Sequence, residues 1–310
     1  MDLSLKKNYM VFDLIKANTK DGRPYLKMVL ADDSGTLFNS IMFDSNKLNF
    51  EPQKGNMVSV SAVLQQHNNQ SQLKINEMYL IASGGMEAFL PKSKYNPKEM
   101  AEELRSLLQK HITSSYFQTL LQIFYDDEKS WEMFQLVPAA KSMHHAYLHG
   151  LLEHTLATVR LAIQIAPLYP YVNKELLIIG ALFHDLGKVR EQGIAAGFEY
   201  SDDGRLHGHI MIGYLMVNDY MNRAEIFPET TMQQLLHMLA SHHGTLEFGS
   251  PVVPKTAEAM LLNFVDDMDA KLNAVNTTLE KENIHPGEWS NYNRLLERQL
   301  YYPPKETKGS

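Results

Sequence analysis

An apolar run, Leu176 to Phe183, ends abruptly in His184 and Asp185 and continues as Leu186, Gly187 and Lys188. The run is far shorter than the ~20 residues that cross a bilayer, so it predicts a buried helix carrying an imidazole and a carboxylate into the interior. Burying an isolated ionised carboxylate is costly, and a divalent cation is the commonest partner that offsets the cost for His and Asp together. Four further places set the same residue types in apolar surroundings: His154 after Leu151 and Leu152, His209 before Ile210, His242 with His243 ahead of Gly244, and Asp266 after Leu262, Phe264 and Val265. Any one of them reads equally well as a satisfied core histidine or a helix-end salt bridge. Five groups on five different helices would each need a partner, whereas convergence on shared metal ions satisfies all of them.

The elements that must position these residues are helical. Helices are expected over residues 98–111, 114–125, 128–134, 149–166, 174–186, 207–221, 231–241 and 256–282, with a last helix at 289–301 and a polar tail at 303–310. The N-terminal part instead shows alternation and turn signals, which predict strands at 9–17, 25–31, 36–43, 57–66 and 72–81, with one or two helical turns within 44–54. Five strands with a helical interruption after the third is the order of an OB-fold barrel. The expected fold is therefore multi-domain α and β: a five-stranded OB-fold barrel at 1–83, a linker at 84–98 and an all-α helical bundle at 99–302. Tyr9, Phe12, Tyr25, Phe38 and Phe43 are candidate stacking surfaces for bases, with core packing as the competing role for each.

Composition narrows the class. The chain has 310 residues and no cysteine, so disulfides and thiolate metal sites are excluded and any metal must rest on His and carboxylate. No segment reaches membrane-spanning length and the N-terminus lacks a signal-peptide core, so a soluble cytoplasmic protein is expected, with no membrane partner. The net charge of −7 argues against bulk electrostatic coating of nucleic acid; the barrel region is nearly balanced and the acidity lies in the helical part.

The order His, His-Asp, Asp over successive helices resembles the HD phosphohydrolase superfamily. Residues 138–145, the GLLEHT motif at 150–155, HDLGK at 184–188, the GHI step at 208–210 and SHHG at 241–244 make the whole chain similar to the YhaM-type 3′-to-5′ exoribonucleases of Gram-positive bacteria, in which an OB-fold precedes an HD domain. That resemblance implies that His154, His184, Asp185 and Asp266 ligate one metal ion and that His209, His242 and His243 serve a second. It also implies a homo-oligomer. A glycine is common in that family where His149 stands, so His149 is assigned no role.

These residues permit metal-assisted phosphodiester hydrolysis. Two cations roughly 3.5–4 Å apart would activate a water and clamp the scissile phosphate, with Asp185 offering one oxygen to each. Lys188 is a candidate for neutralising a phosphate oxygen, Asp269 for orienting a ligand or water, and His144 and His145 for touching substrate. The donor set suits Mn first, with Mg, Fe, Zn or Ni as alternatives. The leading reading is a metal-dependent 3′-to-5′ exoribonuclease of single-stranded RNA, with single-stranded DNA as a second candidate substrate, releasing nucleoside 5′-monophosphates; direction and products follow from the resemblance. Competing readings are an HD hydrolase of small nucleotides such as cyclic dinucleotides or dNTPs, and a non-catalytic nucleic-acid-binding module.

Overall fold

The computed structural model describes residues 5–67, 70–81, 89–140, 145–193, 199–224 and 226–304. Residues 84–88 of the expected linker, His144 and the end of the expected tail lie outside the described residues. The chain divides into two compact units, Met1–Lys92 with Gln192–Tyr200, and Ser93–Glu191 with Ser201–Ser310.

The first unit is built on five strands: β1 (Leu5–Asn18), β2 (Pro24–Ala31), β3 (Leu37–Phe43), β4 (Met57–His67) and β5 (Gln70–Leu80). They close into a barrel in the order β1-β2-β3-β5-β4, through a parallel pairing of β3 with β5 and an antiparallel pairing of β1 with β4. A short helical turn, Ser45–Lys47, sits between the third and fourth strands, which completes the OB-type order expected from the sequence. Alternate residues of each strand fill the interior: Leu26, Met28 and Leu30 point inward from β2, whereas Lys27 between them is exposed.

Alternation also sorts the aromatic residues. Tyr9, a stacking candidate in the sequence, is only 3% exposed and meets Phe38 edge-on inside the barrel, so it presents no face to a base. Phe38 is half-buried against the same core, as Phe12 and Tyr25 are partly covered. Phe43 is exposed and lies 5.9 Å from the Tyr25 ring.

The second unit is a helical bundle: α1 (Pro97–His111), α2 (Ser115–Asp126), α3 (Glu128–Leu136), α4 (Gly150–Ile165), α5 (Lys174–Phe183), α6 (Lys188–Glu191), α7 (Asp202–Arg223), α8 (Glu229–Ser241) and α9 (Ala257–Lys281). Between α6 and α7 in the sequence, two-residue strands β6 (Gln192–Gly193) and β7 (Glu199–Tyr200), which belong to the first unit, pair in a hairpin too short to leave a periodic signal. Helix starts follow local chemistry, since the Asn96, Asp127, Asn173, Ser201 and Thr256 side chains each accept a backbone N–H of the first turn. The core is densely aromatic around Phe124, which is fully buried and packs on Phe183 at 5.3 Å, Trp131 at 5.5 Å and Phe134 at 5.6 Å.

Three expected boundaries are corrected. Helix α5 ends at Phe183 rather than Leu186, and a turn follows. Helix α7 begins at Asp202 rather than His207 and is interrupted at Gly208. The expected last helix at 289–301 is a clip, with bridges Trp289↔Tyr301 and Asn293↔Arg298. Asn293 Oδ1 accepts the Leu296 N–H, a local side-chain bond that competes with helix formation.

Truncating Phe124 to alanine should cost roughly 3–5 kcal/mol, because the Phe183, Trp131 and Phe134 rings that line the space it leaves cannot collapse far. Denaturant unfolding of Phe124→Ala checks this; a loss below about 1 kcal/mol would contradict the packing described.

Candidate metal centre

Helices α4, α5, α7, α8 and α9 deliver the side chains singled out in the sequence to one place. His154 Nε2 lies 3.1 Å from His184 Nε2, 3.2 Å from Asp266 Oδ1 and 3.7 Å from Asp185 Oδ2. His184 Nε2 lies 3.5 Å from Asp185 Oδ2 and 3.8 Å from Asp266 Oδ1. On the other side of the same carboxylate, Asp185 Oδ1 is 3.4 Å from His209 Nε2 and 3.7 Å from His242 Nε2. The His242 and His243 rings are 4.4 Å apart, and one donor nitrogen from each of His209, His242 and His243 lies within 4.8 Å of the others.

The rings are oriented by a common device. Nδ1 of His184 faces the Ala181 carbonyl at 2.9 Å, His242 the Leu239 carbonyl at 2.7 Å, and His243 the Phe248 carbonyl at 2.8 Å. Nδ1 of His154 faces Asp269 Oδ2 at 2.6 Å and that of His209 faces Glu191 Oε1 at 3.1 Å. Each acceptor fixes the tautomer with the proton on Nδ1, which leaves the Nε2 lone pair aimed at the centre.

This arrangement fits divalent cations on two counts. First, Asp185 Oδ1, His209 Nε2 and His242 Nε2 are buried without a hydrogen-bond partner, although they face one another; buried polar atoms are rarely orphaned in this way. Second, a first-row cation holds such ligands at about 2.0–2.2 Å, which places neighbouring ligand atoms roughly 2.8–3.6 Å apart, and most of the separations above lie in or close to that range. Two Nε2 lone pairs at 3.1 Å would repel unless positive charge lies between them. Without metal a proton serves: burial opposes it, but the Asp266 and Asp269 carboxylates outweigh burial and push His154 up to about 10. Burial pushes His184 down to about 4, so its ring stays neutral beside the protonated one.

Asp185 stays ionised. Burial would raise its pKa, but the Lys188 ammonium and the neighbouring imidazoles hold it well below the usual carboxylate range. Lys188 is 7% exposed, with Nζ 2.5 Å from Asp185 Oδ2. The lysine expected to meet phosphate thus neutralises the central carboxylate. Asp269 stands behind His154, and burial, which opposes its charge, is outweighed by hydrogen bonds from His145 and His154. His145, expected to touch substrate, is 3% exposed, with Nε2 on Asp269 and Nδ1 facing the Tyr147 hydroxyl. His149 has a left-handed backbone with φ 68°, the conformation for which glycine is the easiest residue. Glu191 is absent from the sequence reading, yet it accepts both the His209 N–H and its ring nitrogen. A buried glutamate in Lys188-Val189-Arg190-Glu191 leaves no periodic signal.

Two glycines make the assembly possible. Gly208 has φ 70° and ψ 156°, which breaks α7 just before His209 and lets that backbone N–H reach Glu191. A Cβ on Gly187 would fall 1.9 Å from the His209 carbonyl oxygen and 2.6 Å from the Gly213 nitrogen, so only glycine admits the close approach of α6 and α7.

Comparison with known proteins places the centre within a matched domain. The HD domain family model matches residues 151–271. The chain is 33% identical over 316 residues to the 3′-5′ exoribonuclease YhaM of Listeria monocytogenes, covering 98% of this chain and 97% of that protein. It is 30% identical to the protein of that name from Bacillus subtilis, over 94% and 93% of the two chains. Oceanobacillus iheyensis has another relative of the same name, 29% identical over 97% and 94%. Among solved structures, the second OB-fold domain of replication protein A from Methanococcus maripaludis matches at 20% identity and TM-score 0.23, over 27% of this chain and 88% of its own. The buried His/Asp cluster of an HD domain suggests divalent metal binding.

Replacing Gly187 by alanine should force α6 and α7 apart, with a stability cost of roughly 1–3 kcal/mol from overpacking and a loss of metal held near His209. Elemental analysis beside a thermal melt checks both; unchanged metal content and melting temperature would refute the close-approach argument.

Proposed function

The chain belongs to the family of YhaM 3′-5′ exoribonucleases, and on that premise we propose that it shortens single-stranded RNA from the 3′ end to nucleoside 5′-monophosphates with two divalent cations held by its HD domain. The observation that carries the reading is the convergence of five Nε2 atoms and two carboxylates around Asp185. His154, His184, Asp185 and Asp266 would hold one cation, and His209, His242, His243 and the second oxygen of Asp185 the other. Bound cations supply Lewis-acid activation of water and charge neutralisation at the phosphate. Donors mixed between nitrogen and oxygen support Mn foremost, with Fe, Zn, Ni and Mg as alternatives.

The protein's own groups do the positioning. Asp185, kept ionised by Lys188, presents separate oxygens to the two ends of the centre. Asp269 and Glu191 hold the His154 and His209 rings from behind. On the barrel, the outer surface supports a path for single strands: a groove of about 490 Å3 is lined by Lys27, Asn39, Phe43, Gln65 and Gln72. Phe43 and the neighbouring Tyr25 offer ring faces, and amides and lysines serve bases and phosphates; single-stranded DNA would fit the same surface. The near-neutral barrel makes affinity per copy modest, so a homo-oligomer that gathers several such surfaces fits the reading. A cysteine-free chain acting on RNA is suited to the reducing cytoplasm.

No helix among the described residues is long and apolar enough to cross a membrane.

Three substrates separate this reading from hydrolysis of small nucleotides: an unblocked RNA oligomer, a 3′-blocked RNA oligomer, and free cyclic dinucleotides or dNTPs. Only the unblocked oligomer should be consumed, with 5′-monophosphates accumulating. Turnover of the free nucleotides instead would overturn the proposal.

Asp185→Ala would leave the buried Lys188 ammonium with neither counter-charge nor acceptor, whereas Asp185→Asn keeps an amide oxygen for Nζ and the side-chain volume, so it is the cleaner variant. Its turnover should fall at least about 100-fold, the scale on which one electrostatic contributor is lost from a site; near-normal rates would remove Asp185 from the chemistry. Phe43→Ala should raise KM for a long oligomer roughly 5–150-fold if stacking there is worth about 1–3 kcal/mol, with little change on a short one. An equal loss on both would count against the barrel path.

A further inference from the structure

Behind Asp269, the carboxylate that holds the His154 ring, runs a chain of side chains that the proposed chemistry does not use. Asp269 Oδ2 accepts from two rings at once, His154 Nδ1 at 2.6 Å and His145 Nε2 at 2.9 Å. The other nitrogen of His145 faces the Tyr147 hydroxyl at 2.9 Å, and that hydroxyl also reaches Glu153 Oε1 at 3.0 Å. Glu153 Oε2 in turn accepts from Ser93 Oγ at 2.6 Å. Asn273 closes the group: its Oδ1 accepts the His145 backbone N–H at 3.0 Å and its Nδ2 donates to the Tyr147 oxygen at 3.2 Å.

A second observation shows that His145 is held there against resistance. It is a non-glycine residue with φ 46°, in the left-handed region, where backbone strain persists only when the surroundings over-determine it. Its carbonyl accepts the N–H groups of Ala139 and Tyr147, and a Cβ on Gly150 would come within 2.1 Å of that oxygen. The strained backbone aims the ring at Asp269 and away from solvent.

We propose that His145, fixed by Tyr147, Glu153 and Asn273, is a positioning residue that sets the affinity of the His154 end of the centre for a divalent cation, by holding Asp269 where it fixes the His154 ring. The inference rests on the metal-centre reading above. The physical step is rotational. A carboxylate with one donor can swing about its terminal torsion, whereas one pinned between two ring N–H groups keeps Oδ2 in line with His154 Nδ1. The Nε2 lone pair of His154 is then already aimed at Asp266 and His184 before a cation arrives, so less ordering remains to oppose binding. The His209, His242 and His243 end has its own supports, Glu191 and the Leu239 and Phe248 carbonyls, none of which is a member of this chain of residues.

Titration of full-length protein with Mn2+ alone, followed by calorimetry and by the electron-spin signal of free Mn2+, tests the proposal on three variants. His145→Leu removes the second donor to Asp269. His145→Gln keeps an N–H at nearly the same reach. Tyr147→Phe is milder and loosens the ring from behind without touching Asp269. Losing a residue that orients a ligand typically weakens metal binding 10–100-fold. The expected result is a loss of that size in one class of Mn2+ site for His145→Leu, a smaller loss of the same kind for Tyr147→Phe, and near-wild-type binding for His145→Gln. The second class of site should be unchanged, and the Mn2+ needed for half-maximal activity should move in parallel. If His145→Leu is unfolded by circular dichroism, Tyr147→Phe decides. Wild-type Mn2+ binding in the folded variants would overturn the proposal, as would equal weakening of both classes, or His145→Gln binding as poorly as His145→Leu. Wild-type protein that binds no divalent metal would instead sink the metal-centre reading.

Discussion

The constraint on which the rest of the structure depends is the placing of five imidazoles with Nδ1 engaged and Nε2 turned inward. Three of those rings lean on carbonyls of the local backbone and two on carboxylates brought from elsewhere. The result is a buried set of lone pairs and anionic oxygens that only partly satisfy one another. Such a set is costly, since Asp185 Oδ1 and the Nε2 atoms of His209 and His242 have given up water without gaining a hydrogen-bond partner. It persists because the surrounding bundle is closely packed and because Lys188, and a proton on His154, cancel part of the negative charge. A pre-formed hollow of this kind is the opposite of a structure optimised for stability. Its donor set suits a divalent cation.

The helix ends matter more than the helices. Within an α-helix successive side chains point about 100° apart, so two adjacent residues in mid-helix cannot both face one point. His184 and Asp185 escape this limit because α5 stops at Phe183 and the chain turns before α6 begins. Asp185 can then face His154 and His184 with one oxygen and His209 and His242 with the other, while Lys188 reaches back over the same turn. Gly187 and Gly208 belong to the same design, one permitting close backbone approach and the other a break in α7.

Much of this was legible in the sequence because the ligand residues are chemically out of place: an imidazole after a run of leucines or a carboxylate after Phe264 and Val265 announces itself. The barrel was legible for a related reason, since two-residue alternation survives wherever one face is buried. What escaped notice were residues whose type suits any surface. Glu191, Tyr147 and Asn273 look like ordinary helix and loop residues, and only the fold shows that each is turned inward against a histidine. Of the two roles open to Tyr9 on β1, base stacking and core packing, the fold shows the second. Tyr9 alternates correctly for a strand, but pattern alone does not say which of the two faces is the interior. The clip at 289–301 was read as a helix because its apolar spacing permits one, whereas Asn293 supplies a local hydrogen bond that a helix would have to give up.

The two ends of the centre differ in how they are braced, and this follows from where their supports arise in the chain. His184, His242 and His243 take their Nδ1 acceptors from backbone only three to five residues away, so the same turns that form the helix ends orient the rings. His154 and His209 sit within or at the break of long helices whose carbonyls are already committed to the helix, so no backbone oxygen is available to them. Each therefore needs a carboxylate from a different element, and a buried carboxylate needs further donors of its own. Glu191 obtains them from the His209 N–H and ring, close at hand. Asp269 lies on α9, over a hundred residues from the ring it holds, and it is at this long-range contact that the polar chain through His145 and Tyr147 has been built.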